Sequence, residues 1–207
     1  MRVIDLSLPV SNSMPGVDIQ PAKQLEVDGW NATTLSLYSH AGTHMDAPKH
    51  FLPDGGALDS LNLETLVGPA TVVNVAPAQP KQLLIPSDLD GVNVTPGCRL
   101  LLRTDWHTRY GTPQYRDRLP RISLELAQWL VERQVGLIGV EPPSVADVNN
   151  MQELTEVHET LFRGNVVIVE GLAHLDQLSQ PQIEFVALPL RVVSGDGSPV
   201  RAIAIER

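Results

Sequence analysis

The most informative part of this sequence is the stretch Ser39-His40-Ala41-Gly42-Thr43-His44-Met45-Asp46-Ala47-Pro48-Lys49-His50-Phe51. It places three of the chain's six histidines within 11 positions, together with one aspartate. Imidazole and carboxylate groups at this density are typical of a metal site, because both are common ligands of divalent ions. The alternative is a polar loop whose histidines are only solvated. Three histidines and a carboxylate among Gly, Ala and Pro argue against it.

The spacing of these residues favours a turn over a helix. On a helix, His40 and His44 would share one face while Asp46 pointed elsewhere. Gly42 and Pro48 would also interrupt a continuous helix. We therefore expect the motif on a turn that leaves a strand, where glycine lets the backbone fold tightly around an ion.

The motif resembles the HxGTHxDxPxHF signature of the cyclase family, which includes bacterial kynurenine formamidases and isatin hydrolases. The resemblance extends over nearly the whole chain. It includes Leu66-Val67-Gly68-Pro69-Ala70, Leu101-Leu102-Arg103-Thr104, Ile168-Val169-Glu170-Gly171-Leu172 and the ending Asp196-Gly197-Ser198-Pro199-Val200-Arg201-Ala202-Ile203-Ala204. For the fold, it implies a β-rich, swivelling β/β/α architecture.

The resemblance also implies roles for individual residues. The implied metal ligands, on one ion or two, are His40, His44, Asp46, His158 and Glu170. Asp46 is implied to bind one ion together with His40 and His44. It is also implied to act with His158 and Glu170, which either bind a second ion or complete the first site. His50 is implied as the catalytic acid/base. A homodimer or a dimer of dimers is implied as well, and the acidic, loop-rich N-terminal third is in keeping with it.

Two departures from the family pattern argue against N-formylkynurenine as the best substrate. Kynurenine formamidases tend to carry an aromatic residue, often Trp, just before a Pro-Gly-Asp, whereas this chain has Met14-Pro15-Gly16-Val17. The family's Asp-Thr-Pro-Ser segment is Glu141-Pro142-Pro143-Ser144 here. We expect Met14 to contact the substrate in place of the aromatic ring. Glu141, at a strand end, is either a support behind the metal ligands or a surface strand terminus.

Trp30 has two interpretations. It follows the long segment 11–29, which is rich in Pro and Gly and predicts a loop. Core packing is one role for the indole ring. The other is a wall of the substrate pocket, in the same or in a neighbouring subunit.

Strands outnumber helices in the predicted secondary structure, which indicates a mixed α/β fold. Apolar runs and alternation predict strands at 2–7, 33–38, 70–75, 98–104, 136–141, 165–170, 183–193 and 200–205. Helices are predicted at 124–133, capped by Ser123, and at 153–162, ended by Gly164. The segment 105–120 predicts a loop that either covers a pocket or is solvated.

Three further residues are interpreted from their local context. Glu170 ends an apolar strand, and a buried carboxylate needs a partner, which a metal ion would supply. His107, in the loop 105–120, is interpreted as a surface histidine. His174 is interpreted as structural.

Composition limits the classes of function. At 207 residues the chain is most simply one domain over 1–207. A net charge of −9 argues against nucleic-acid binding, which needs a basic surface. Cys98 is the only cysteine, so no intrachain disulfide forms. There is no signal-like leader and no apolar run that approaches the roughly 18 residues of a membrane span, so we expect a cytoplasmic protein.

The histidine motif predicts a metal site, and the family resemblance implies a metal-dependent hydrolase of a non-peptide carbon–nitrogen bond, either a formamide or a cyclic amide. Imidazole and carboxylate ligands suit Zn²⁺, and Mn²⁺ fits nearly as well. One alternative is ring closure or dehydration of a polyketide-like substrate. The other is a protein that binds a metal or ligand on the same scaffold without catalysis. An acid/base at His50 argues against the latter, because binding alone does not need one.

Overall fold

Twelve strands and five α-helices make up the protein, and the computed structural model describes residues 1–207. The strands are β1 (Arg2–Asp5), β2 (Val17–Lys23), β3 (Ala32–Leu37), β4 (His44–Asp46), β5 (Val67–Asn74), β6 (Leu83–Leu84), β7 (Arg99–Arg103), β8 (Arg121–Ile122), β9 (Leu137–Val140), β10 (Val167–Glu170), β11 (Gln182–Pro189) and β12 (Gly197–Glu206). The helices are α1 (Leu25–Asp28), α2 (Leu63–Leu66), α3 (Pro113–Asp117), α4 (Leu124–Glu132) and α5 (Met151–Arg163).

Seven of the strands close into a barrel. Their order is β12-β11-β5-β7-β9-β10-β4, and β4 pairs again with β12 to complete the ring. Strands β5, β7, β9 and β10 run parallel to one another, and the other pairings are antiparallel. Strand β1 extends β12 outside the ring, while β2–β3 and β6–β8 form two small separate sheets. The predicted mixed α/β fold with few helices is therefore confirmed.

The strands β7 and β10 divide their side chains between two hydrophobic cores. Leu101 and Val169 belong to the cluster that fills the barrel, whereas Leu100 and Ile168 belong to the cluster that packs against α4 and α5. Successive side chains of a strand point to opposite faces. Glu170, two residues beyond Ile168, therefore faces α5 and not the interior of the barrel.

The pairing of β4 sets the position of the histidine motif. In the antiparallel register of β4 and β10, Asp46 lies opposite Ile168 and His44 lies opposite Glu170. On its other side, β4 pairs with β12. The buried Met45 points into the barrel, so His44 and Asp46 point outward, to the same side as Glu170.

Most predicted elements are confirmed, with shifts of a few residues at their ends. Helix α4 begins after Ser123, whose Oγ accepts a hydrogen bond from the Leu126 N–H at 2.9 Å. Helix α5 begins two residues earlier than predicted, after Asn150, and has Gly164 at its C-cap. The predicted strand 33–38 corresponds to β3.

The loop prediction for 11–29 is wrong from Val17 onward, because β2 pairs there with β3 in an antiparallel hairpin that also holds α1. Strand β2 escaped prediction because its alternation of apolar and polar side chains covers only residues 17–20 and is interrupted by Pro21. The loop prediction for 105–120 is also incomplete, since one 3₁₀ turn and α3 lie within it. No helix has both the length and the apolar composition needed to cross a membrane.

Candidate metal centre

Three elements of the fold bring four predicted metal ligands together. Strand β4 carries His44 and Asp46, β10 ends in Glu170, and α5 supplies His158. The His44 Nε2 atom lies 3.2 Å from Glu170 Oε2 and 3.4 Å from Asp46 Oδ1. The His158 Nε2 atom lies 3.5 Å from Glu170 Oε1 and 3.7 Å from Asp46 Oδ2. All four side chains are buried, so their donor atoms enclose a small polar space.

Backbone carbonyl groups fix the orientation of the two imidazoles. The His44 Nδ1 atom lies 2.9 Å from the Gly42 carbonyl oxygen, and the His158 Nδ1 atom lies 2.7 Å from the Leu154 carbonyl oxygen. A carbonyl oxygen only accepts hydrogen bonds, so each Nδ1 carries the proton and donates it. In the neutral rings each Nε2 is then left with a lone pair directed at the carboxylates. This arrangement is the one that metal-ligating histidines use to hold their ring in place.

The Asp46 carboxylate lies at the centre of the cluster. Its Oδ1 atom is close to His40 and His44, whereas its Oδ2 atom is buried and has no hydrogen-bond partner. Buried polar atoms in folded proteins almost always have a partner, because leaving one unpaired is costly. A cation between Asp46 Oδ2, Glu170 Oε1 and His158 Nε2 would supply that partner. The residues therefore fit a divalent ion.

The protonation of the cluster reflects its excess of negative charge. Burial alone would lower the pKa of His44, but the hydrogen bond to Glu170 and the charge of Asp46 outweigh it and raise the pKa to about 9. Burial also disfavours charged His158, yet Glu170 raises its pKa. Burial would raise the pKa of Glu170, but the bonds from His158 and His44 hold that pKa well below its usual range. The site thus attracts positive charge, as a proton or as a metal ion.

His40 joins the cluster from the turn before β4, as predicted for this part of the motif. Its Nδ1 atom lies 2.8 Å from Asp46 Oδ1, and its Nε2 atom lies 2.9 Å from Asp196 Oδ2. Asp196 was not among the residues predicted for the site. The available signal was its place at the start of the C-terminal segment that carries the resemblance. The turn before β12 brings this carboxylate back to the histidine motif.

His50 lies next to the same carboxylate, on a 3₁₀ turn of residues Pro48–His50. Its ring stacks on the His40 ring with centroids 3.9 Å apart, and its Nδ1 atom lies 3.8 Å from Asp196 Oδ2. Burial lowers the pKa of His50, although the charge of Asp46 opposes the change, which leaves the ring neutral and able to accept a proton at pH 7. A donor atom of His50 also lies within 4.8 Å of donor atoms of His40 and Asp46. The geometry therefore permits either an acid/base or a ligand.

A cavity of about 390 Å³ gives access to these groups. Polar groups of the cluster lie on one side, and apolar and aromatic side chains form the rest of the wall, among them Met14, Tyr38, Phe51, Tyr110, Tyr115 and Val148. Met14 is buried and lines the cavity, where the sequence analysis expected a substrate contact. Arg116 is the one cationic side chain other than histidine along the wall. The space suits a small, largely apolar molecule with a polar reacting group.

The structure does not place Trp30 where the sequence analysis expected it. The side chain is 56% exposed, and it lies neither in the core nor along the cavity of its own chain. It follows α1 in the exposed hairpin between β2 and β3, away from the packed elements. Both core packing and a wall of the cavity in the same subunit are therefore wrong. A contact with the cavity of a neighbouring subunit remains a prediction.

Glu141 is buried, but it does not support the metal ligands directly. Its carboxylate accepts hydrogen bonds from the backbone N–H groups of Thr104 and Trp106 and from the Thr104 hydroxyl. Its other oxygen lies 2.8 Å from His107 Nδ1. The interpretation of Glu141 as a support behind the metal ligands is thus wrong, and so is that of His107 as a surface histidine. The two residues form a hydrogen-bonded pair that the sequence pattern did not reveal.

A closed barrel with buried histidine and carboxylate groups at a cavity defines a class of metal-dependent α/β enzymes. The chain belongs to the cyclase family, because the family model described as "Putative cyclase" matches residues 4–147. Kynurenine formamidase of Bacillus cereus (strain ATCC 10987 / NRS 248) is 33% identical over 210 residues, which is 97% of this chain and 95% of the relative. Kynurenine formamidase of Bacillus anthracis is 34% identical with the same coverage.

Solved structures agree with this relationship. Isatin hydrolase A from Ralstonia solanacearum superposes with a TM-score of 0.88 at 27% identity, over 98% of this chain and 91% of that chain. An isatin hydrolase bound to the product analogue thioisatinate gives a TM-score of 0.90 at 23% identity, over 99% of this chain and 92% of that chain. The second similarity concerns the fold alone. The similarity to isatin hydrolase A and to the kynurenine formamidases relates this chain to enzymes that hydrolyse amide bonds.

Proposed function

We propose that this protein is a metal-dependent hydrolase that cleaves a non-peptide amide bond in a small molecule. The observation that carries the proposal is the arrangement of His44, His158, Asp46 and Glu170. Two imidazole Nε2 atoms directed inward meet two buried carboxylates, one of which has an oxygen without a partner. A divalent ion held by these residues would lower the pKa of a bound water to about 7 and polarise a carbonyl oxygen.

His50 is proposed as the group that moves the proton. It is neutral at pH 7 because burial lowers its pKa, and it lines the cavity beside the metal ligands. It can accept a proton from the attacking water and return it to the leaving nitrogen as the carbon–nitrogen bond breaks. Asp196, 3.8 Å from His50 Nδ1, would stabilise the ring while it is charged.

The walls of the cavity favour an aryl or cyclic amide. Tyr38, Phe51 and Tyr110 offer ring faces and edges, and Met14 offers a flexible apolar contact. A thioether replaces the aromatic ring expected before the Pro-Gly pair. A stacking contact of about 0.5–1.5 kcal/mol is then missing, which corresponds to a roughly two- to tenfold loss of affinity. We therefore propose that N-formylkynurenine is not the best substrate.

Two overlapping groups of donors suggest that one chain holds one or two ions. One group contains His44, Asp46 and Glu170, and the other contains His40, Asp46 and His50. Nitrogen and carboxylate ligands favour Zn²⁺, with Mn²⁺ as the second choice. A cytoplasmic location and a single domain over 1–207 remain predictions from the sequence.

A homodimer is proposed from the β2–β3 hairpin. This hairpin exposes large apolar side chains of Leu25 (59%), Val27 (82%), Trp30 (56%) and Leu35 (58%). Exposed apolar groups so close together are typical of a surface that a partner covers. Light scattering at micromolar concentration tests this, and a monomeric mass would contradict it.

A substrate panel tests the proposed reaction. Protein loaded with Zn²⁺ or Mn²⁺ is assayed with N-formylkynurenine, formanilide, simple alkyl formamides and the cyclic amide isatin. We expect hydrolysis of at least one amide, with kcat/KM higher for a cyclic or simple aryl amide than for N-formylkynurenine. Metal binding without turnover of any amide would favour a binding protein. Ring closure or water loss in a polyketide-like probe would favour the cyclase alternative.

A further inference from the structure

A second group of potential metal ligands lies outside the centre described above. Donor atoms of His107, His174 and Asp176 all lie within 4.8 Å of one another. None of the three belongs to the candidate metal centre or lines its cavity. His107 follows β7 on a 3₁₀ turn, whereas His174 and Asp176 follow β10. The cluster therefore joins two segments at the carboxyl ends of parallel barrel strands.

The strongest observation is the way in which His107 is held. Its Nδ1 atom lies 2.8 Å from Glu141 Oε1, and the Glu141 side chain is fully buried. The other Glu141 oxygen accepts hydrogen bonds from the backbone N–H groups of Thr104 and Trp106. The carboxylate is thus fixed, and it orients the His107 ring with Nδ1 as the donor. A carboxylate behind an imidazole in this way is the common support of a metal-ligating histidine.

The free nitrogen of His107 faces the other two residues. Only 9% of the His107 side chain is exposed. Its Nε2 atom lies 3.5 Å from Asp176 Oδ1 without forming a hydrogen bond. In the neutral ring a lone pair on Nε2 would face the lone pairs of a carboxylate. That contact is repulsive unless a proton or a cation lies between the two atoms. The His174 ring completes the group, with its centroid 5.2 Å from that of His107.

The backbone on both sides of the cluster is held in an unusual conformation. His174 adopts a φ of 60° and Asp105, two residues before His107, a φ of 58°. Residues other than glycine rarely adopt this left-handed conformation, and asparagine, aspartate and histidine do so more often than most. In this conformation the His174 ring lies edge-on to the His107 ring. Asp176 is 41% exposed, so an ion can enter from solvent.

We propose that His107, His174 and Asp176 form a second binding site for a divalent transition-metal ion. Two imidazoles and one carboxylate are a ligand set that suits Zn²⁺, with the remaining positions open to water. Bond lengths of about 2.0–2.2 Å require the donors to approach one another slightly, which the exposed Asp176 side chain can do by rotation. The ion would tie the segment after β7 to the segment after β10. Tyr110 directly follows the 3₁₀ turn Trp106–Arg109 and lines the cavity of the candidate metal centre. The ion would therefore also stabilise one wall of that cavity.

The competing explanation needs no metal. A doubly protonated His107 could bridge Glu141 and Asp176 as an ion pair. Both explanations predict that Asp176 matters for stability, so stability alone does not separate them. Only the metal site predicts an additional bound ion.

The test compares ion binding by the full chain and by three variants. Asp176→Asn keeps the size of an exposed side chain, and His174→Asn keeps a residue that tolerates a positive φ. Asp54→Asn is the control, because Asp54 is exposed and makes no ion pair. Each protein is stripped with chelator, dialysed against buffered Zn²⁺ and analysed for zinc per chain. Thermal unfolding is followed with and without the ion.

We expect the wild type and Asp54→Asn to bind one more ion per chain than the double variant His174→Asn/Asp176→Asn. Each single substitution should raise the Kd for that ion at least tenfold. The rise in Tm that Zn²⁺ causes should be smaller in the double variant. In crystals soaked with Zn²⁺, an anomalous peak should lie about 2.1 Å from His107 Nε2. Equal zinc content and equal affinity in the wild type and the double variant would overturn the proposal and favour the ion pair. These readouts do not depend on amide hydrolysis, so the proposal can fail while the proposed function stands.

Discussion

Glu170 lies directly opposite His44 in the antiparallel pairing of β10 with β4, and its Oε2 atom is 3.2 Å from His44 Nε2. The two residues are 126 positions apart in the sequence, yet one strand register brings them together. The same register places Asp46 opposite Ile168. Three polar side chains therefore point from the outside of the barrel toward α5, where His158 meets them. The candidate metal centre is thus a consequence of β4 closing the barrel.

Replacing Glu170 by glutamine tests whether its charge holds the ion. The Val145 N–H donates to Glu170 Oε1 at 2.7 Å, and a glutamine amide oxygen can accept the same bond, so the fold should survive. Loss of a group that only orients a metal ligand lowers metal affinity roughly 10- to 100-fold. Because Glu170 would bind the ion itself, we expect its replacement to lower the affinity for Zn²⁺ by more than that. Competition with a chelator measures it. Glu159→Gln is the matched control, because Glu159 lies on α5 beside His158 but bonds only Arg163. Equal affinity in the two variants would contradict the assignment.

The raised pKa of His44 predicts a proton released when the ion binds. With a pKa of about 9, the imidazole is protonated at pH 7, and its Nε2 must lose that proton before it can bind a metal ion. We expect release of at least about one proton per ion at pH 7. Apparent affinity should rise with pH up to about 9 and level off above it. Calorimetric titrations in buffers with different heats of ionisation measure the released protons. Binding with no proton release at pH 7 would show that His44 is not a ligand.

The sequence predicted the side chains of the candidate metal centre better than their surroundings. The spacing of His40, His44 and Asp46 is local, so a single stretch of chain revealed it. The buried apolar run before Glu170 also predicted a polar group in need of a partner, and the structure places that carboxylate beside three polar side chains. These inferences needed only neighbouring residues, their polarity and the family resemblance.

The missed features depend on contacts between distant segments. Asp196 meets His40 only because β12 pairs with β4, and no local pattern encodes that pairing. Glu141 meets His107 because two parallel strands end at the same edge of the barrel. Strand β2 was missed for a different reason, since its alternation is limited to residues 17–20 and Pro21 then interrupts it.

Asp196 should orient both His40 and His50 without holding the ion alone. Its Oδ2 atom lies 2.9 Å from His40 Nε2 and 3.8 Å from His50 Nδ1. In Asp196→Asn, we expect metal content to stay near normal and kcat to fall about 10- to 100-fold. Zinc analysis and steady-state kinetics on the best amide of the panel measure the two effects. Asp90→Asn is the control, since Asp90 is exposed and its side chain makes no hydrogen bond. Unchanged kcat in Asp196→Asn would remove this residue from the mechanism.

The last prediction separates His50 from the other motif histidines. His40 touches Asp46 at 2.8 Å, whereas His50 stacks on His40 and faces the cavity. Removal of an acid/base lowers the rate by about 10² to 10⁴, but removal of a ligand releases the ion. We therefore expect His50→Ala to keep near-normal metal content and to lose two to four decades in kcat. His40→Ala should lose metal and activity together.

The comparison of the two variants decides what His50 does, because its ring nitrogen is near enough to Asp46 to bind an ion as well. Loss of metal in His50→Ala would make it a ligand, and the proton would need another carrier. Glu141 is not free to do this, because its carboxylate is fully engaged with Thr104, Trp106 and His107. Asp196 would take its place, since it already contacts His40 and lies next to His50. Full activity together with full metal content in His50→Ala would leave the proton transfer to bulk water and exclude His50 from catalysis.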